Sequence, residues 1–137
     1  MKSFKLKSVL VVLFLSIAFV SCNNDDDEEP VNNSFSKTAF VTEIKGPATG
    51  KVNDELSYEI SFVVDNGCGE FDKISEVKIG DVNGLQVIAK YPTGVCTQQV
   101  PDPKKTAYKF KATAKGTFDI KFKKSATEFI TKSVVID

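Results

Sequence analysis

The chemistry open to this chain is bounded by what it lacks. It has no His, so neither a Ser-His-Asp triad nor a Cys-His pair can be assembled, and the commonest zinc sites go with them. All 18 of its basic residues are Lys, and Arg and Trp are absent. Three cysteines stand at Cys22, Cys68 and Cys96. Cys68 and Cys96 alone cannot close a structural zinc site, and they lack the Cys-x-x-Cys spacing of a redox pair. No Gly-rich phosphate loop is present. A glycoside-cleaving pair of carboxylates needs only Asp and Glu, but it also needs a substrate cleft, and the chain is small. So thin an inventory of acids and bases points away from an enzyme, and no residue set calls for a cofactor or a metal ion.

Charge offers two further clusters. Lys109, Lys111, Lys121 and Lys123 alternate along two neighbouring stretches, with Lys104, Lys105, Lys115, Lys124 and Lys132 nearby. Lysines on an exposed strand discourage edge-to-edge pairing. They could also form a patch for an anionic partner such as an acidic glycan or lipid headgroups. Nucleic acid is the poorer fit: its surfaces interleave aromatics and Arg with Lys, and a formal net charge of zero supplies no steering field. The second cluster is the run Asp25, Asp26, Asp27, Glu28 and Glu29. Its charges repel, so residues 22–35 read as a disordered acidic tether. The run lacks the spaced ligands and turn glycine of a calcium loop.

The residues before that run have the layout of a secretory leader. Lys2, Lys5 and Lys7 precede an apolar stretch, Val9 to Val20, broken only by Ser16. It is shorter than the roughly 20 residues of a membrane-spanning helix and has the length of a signal core. The junction Phe19-Val20-Ser21-Cys22 resembles the lipobox of bacterial lipoproteins. The resemblance implies a signal peptide over 1–21, removal of that peptide, and acylation of Cys22. Val20 departs from the Ala or Gly usual two places before the Cys, a variation that Bacteroidota lipoproteins tolerate. Several acyl chains on one residue make a stable anchor, where one chain gives marginal binding. Acidic residues just after such a Cys resemble the surface-export signal of the same lipoproteins; the plainer reading is a solvated spacer. With Cys22 acylated in an exported protein, Cys68 and Cys96 are an even pair in an oxidising compartment and read as a disulfide. The bridge would close about 29 residues and contribute roughly 3–4 kcal/mol.

The elements that must carry these residues follow from hydrophobic period. Apolar residues take every second place in Leu56-Tyr58-Ile60-Phe62-Val64, Leu85-Val87-Ala89-Tyr91, Tyr108-Phe110-Ala112-Ala114 and Phe118-Ile120-Phe122, the mark of half-buried strands. Phe40 to Ile44, Phe71 to Ile79 and Phe129 to Ile136 add three weaker runs. The phase change between Ile74 and Val77 predicts a bulge there. About seven short strands in about 100 residues predict an all-β fold, an immunoglobulin-like antiparallel β-sandwich over 36–137. Parity predicts a hairpin with the three-residue loop Ala114-Lys115-Gly116 and Gly116 in the left-handed position. Tyr108 would then face Phe122, Phe110 face Ile120, and Ala112 face Phe118. On its outer face Lys111 would meet Asp119 and Lys109 would meet Lys121.

The stretch Gly46-Pro47-Ala48-Thr49-Gly50-Lys51-Val52-Asn53, the turn Asn66-Gly67-Cys68-Gly69 and the ending Phe129-Ile130-Thr131 together resemble small Bacteroidota lipoproteins with an immunoglobulin-like domain. That resemblance implies a fold and an outer-membrane location facing the exterior, and no activity. Three functions follow as expectations: a surface-displayed binding or adhesion module for a protein or glycan ligand, an accessory subunit of an outer-membrane complex, or a small hydrolase or inhibitor.

Overall fold

The alternating runs become strands of two packed sheets. The computed structural model describes residues 33–137. The leader, Cys22 and the acidic tract lie outside the described residues. Nine strands are present among those residues: β1 (Ser34–Ala39), β2 (Val41–Lys45), β3 (Thr49–Gly50), β4 (Glu55–Phe62), β5 (Glu70–Ile79), β6 (Val82–Pro92), β7 (Lys104–Lys111), β8 (Gly116–Lys123) and β9 (Phe129–Ile136). One sheet runs β2-β4-β7. The other runs β1-β6-β8-β9-β3, with β5 on the free side of β6. Every inward residue of β4 from Tyr58 to Phe62 is fully buried, as are Val87 and Ala89 of β6 and Phe122 of β8. The all-β sandwich expected from the sequence is thus the fold.

Two strands exceed the expected seven, and their origin is local. The expected first strand, Phe40 to Ile44, is instead the second, Val41–Lys45. Ahead of it, β1 begins at Ser34, inside the stretch read as tether. Ala39 pairs with Val87 in one sheet and Val41 with Phe62 in the other, so the chain changes layer at Phe40. Both odd-numbered residues still face the core, from opposite sides. β1 carries little apolar alternation; its pairing with the edge of β6 supplies the order that its own sequence does not. The second addition, Thr49–Gly50, is a two-residue parallel contact with β9. With the parallel contact of β6 and β8, it interrupts an otherwise antiparallel scheme.

The expected bulge between Ile74 and Val77 is not found. Register runs unbroken from Lys73 to Ile79, and the shift lies between Phe71 and Lys73. The phase change has another cause. Ile74 opposes buried Val87, so Glu76 and Lys78, not Val77 and Ile79, share its face.

The expected β7–β8 hairpin is also overturned. β7 pairs with β4 along its whole length and β8 pairs with β9, so the link between them crosses from one sheet to the other. Gly116 does take a positive φ, 142°, but as the first residue of β8, opposite Ile136. Parity assigns a face and not a neighbour: Tyr108 and Phe122 meet across the core, edge to face at 5.4 Å. Phe110 lies 5.7 Å from Phe118. Outer-face charge favours this arrangement. The hairpin would set Lys109 opposite Lys121, and like charges directly opposed are destabilising. On β4, Glu55 and Glu59 are available instead.

One turn is built around a missing side chain. A Cβ on Gly46 would stand 2.3 Å from Cδ1 of Tyr58. That ring cannot swing aside, because it is fully buried and its hydroxyl donates to the Pro47 carbonyl at 2.9 Å. Gly46→Ala is therefore expected to cost about 1–3 kcal/mol through overpacking, seen as a lower urea midpoint with an unchanged slope. A midpoint equal to that of the parent would show that the turn is free to move.

Candidate functional site

β6 and β8 share a single register pair, Leu85 with Phe122. Toward the start of β6 the sheet opens into a cleft of about 580 Å³. Its floor comes from both layers: Tyr108 and Phe110 of β7, Leu85 of β6 and Ile120 of β8. Its walls are Glu76 and Lys78 of β5 and Asn83 of β6. Register explains why these polar residues are here. Glu76 opposes Leu85 and Lys78 opposes Asn83, on the face that carries Ile74 and Val87 deeper in the core. Asp119 and Lys121 of β8 complete the rim, with Asp119 accepting a hydrogen bond from Ser133 Oγ at 2.6 Å.

Gly84 lets the cleft wall stay thin. A Cβ there would stand 2.4 Å from Cε1 of Phe129, so the Phe129 ring lies directly against the strand. Tyr108 is held from below by Phe122. Burial raises its phenol above the ordinary value, so it stays a neutral donor and acceptor at physiological pH. The other two tyrosines of the domain use their hydroxyls internally: Tyr58 donates to Pro47, and Tyr91 accepts from the Asp65 amide at 3.0 Å. The cleft thus combines an aromatic floor with two carboxylates, two ammonium groups and one amide, a set suited to holding a ligand by stacking and hydrogen bonds. Among the described residues no group of three His, Cys, Asp or Glu side chains is placed to hold a metal ion.

The four lysines do not share one face. Lys109 and Lys111 lie on the outer side of the β2-β4-β7 sheet, whereas Lys121 and Lys123 belong to the opposite layer. The β7 lysines are matched by β4: Lys109 Nζ lies 2.6 Å from Glu55 and Lys105 Nζ lies 2.8 Å from Glu59. The hydrogen bond and charge of Lys109 hold the Glu55 carboxyl below its ordinary range and raise the lysine in turn. What looked like one cationic face is two, and the β7 half is interleaved with acid.

Cys68 and Cys96 are joined, with their Cα atoms 6.0 Å apart. The bridge ties the turn before β5 to the loop after β6. Asn66 shapes that turn by accepting the Cys68 amide on its side chain at 3.0 Å.

Spacing marked Tyr108 and Phe110 as strand residues facing the core but not as a cleft floor, and it marked neither Glu76, Lys78 nor Asn83 as cleft residues. The available signal was the phase change in β5, which puts Glu76 and Lys78 on the face that carries Ile74. No protein-family model, characterised protein or solved structure matches the chain.

Proposed function

We propose that this chain is the precursor of a bacterial lipoprotein. Residues 1–21 are removed, Cys22 is acylated and inserted in the outer membrane, and the sandwich is a non-catalytic binding or adhesion module facing the cell exterior. One observation supports a display role above the others: the domain's N-terminus and its cleft lie at opposite ends of β6. Ser34 pairs with Pro92 at the end of that strand, and Asn83, Gly84 and Leu85 line the cleft at its start. Eight strand steps separate Gly84 from Pro92, about 26 Å at 3.3 Å each. A tether leaving from Ser34 therefore holds the cleft away from the anchoring surface, open to a protein or glycan. The acidic run Asp25 to Glu29 is the outward-sorting mark in this reading.

The mature protein is expected to begin at acylated Cys22, and Cys22→Ala to leave unlipidated precursor, both read by mass spectrometry. Protease added to intact cells should shave the parent and spare a variant with all five acids changed to Ala. Cleavage elsewhere without lipid on Cys22 would sink the anchor, and equal shaving of parent and variant would reduce the acidic run to a spacer.

A further inference from the structure

We infer that the end of the sandwich from which the tether leaves is itself a lipid-contacting surface, with Val95 and Val100 of the β6–β7 loop resting in the headgroup region. This rests on the lipoprotein reading for the anchor at Cys22 and for which membrane is met.

Exposure is the first ground. Val95 is 105% exposed and Val100 66%, while Phe35 and Phe71, paired with Tyr91 and Ala89 near the same end of β6, are 53% and 40% exposed. Four of the seven exposed large apolar residues among those described thus gather at one end of the domain. The loop is tied down beside one of its valines. Cys96, next to Val95, is bonded to Cys68, and a Cβ on Gly67 would stand 2.9 Å from Thr97 Oγ1.

Composition is the second ground. In a chain that is 26% charged, Thr93 to Pro101 contains no charged residue. Thr, Gln and Gly around two valines can leave bulk water for a headgroup layer without stripping an ion of its shell.

Position is the third. The Thr93 amide donates to the Asn33 carbonyl at 2.7 Å, so the first described residue is bonded to the first residue of this loop. From Cys22 to Asn33 the numbering advances by 11, at most about 40 Å even fully extended. A membrane holding Cys22 is within reach of this end, and the cleft lies a further strand length away.

The protein has no Trp, so one can be introduced as a reporter. The chain from Cys22 onward carries one thiol outside the disulfide, which can be coupled to maleimide-phosphatidylethanolamine in phosphatidylcholine vesicles whose acyl chains are brominated. This anchor works whether or not cells acylate Cys22, so a failed lipoprotein reading and a failed lipid surface give different results. Val95→Trp is expected to shift to the blue and to be quenched by the bromolipid. Val82→Trp, at the far end of β6, is expected to do neither. With Cys22 blocked and no anchor, Val100→Asp is expected to lower vesicle partition of the Val95→Trp protein roughly tenfold. Equal quenching of both reporters, or of neither, overturns the proposal. So does a blue shift of Trp at position 95 that needs no vesicles and grows with protein concentration, which would mean that a second copy covers the loop.

Discussion

Phe122→Ala is expected to lower the unfolding free energy by about 3–5 kcal/mol, the range for emptying a large buried aromatic site. Phe122 is fully buried and sits where three structural ties meet. It opposes Ile130 on β9, it forms the single register pair between β8 and β6, and its ring packs edge to face against Tyr108 of the other sheet. Its loss leaves a cavity between the layers and removes the support beneath the cleft floor. The urea midpoint should fall with little change in slope. Phe118→Ala is the comparison: Phe118 is only partly buried against the core and stands farther along β8 from the bridge to β6, so its loss should cost less. If the two variants lose the same amount, or Phe122→Ala loses under about 1 kcal/mol, the layers are not joined through this ring.

The double change Cys68→Ser and Cys96→Ser is expected to cost about 3–4 kcal/mol. The bridge spans a sequence separation of 28, and constraining a loop of that length in the unfolded chain accounts for this amount in the chain-entropy model. Most of the effect acts through the unfolded state, so the folded variant should keep its sheets while its melting point drops. Stabilities of 5–15 kcal/mol are usual for domains, which makes such a loss a large fraction of the whole. In the parent, thiol reagents without reductant should miss both cysteines. Labelling of either one in the folded protein, or a double variant as stable as the parent, would mean that the bridge is dispensable.

The strands with clear alternation were legible because burial on one face leaves a period of two in the chain itself. Tyr58, Ile60, Phe62, Val87, Ala89, Ile120 and Phe122 all proved to be core. β1 was not legible, since Ser34–Ala39 holds few apolar residues and is ordered by the edge of a strand some fifty positions away. The cleft was hidden for a related reason. Its walls and floor come from four strands, and Glu76 and Lys78, exposed residues of β5, reach its rim only through their register with β6.

What the sequence determined by itself was local or compositional: which residues face inward, the lack of imidazole and guanidinium chemistry, a leader-like segment ahead of Cys22, and two further cysteines free to pair. Each depends on near neighbours or on simple presence. The tertiary structure alone decided which strands adjoin. Parity allows β7 to pair with β8 or with β4 equally well, because both choices keep Tyr108 and Phe110 inward. The structure joins β7 to β4, where Lys109 and Lys105 meet Glu55 and Glu59, and sets Phe122 against Tyr108 from the opposite sheet. That choice divided the lysines between two faces and opened the cleft between β6 and β8.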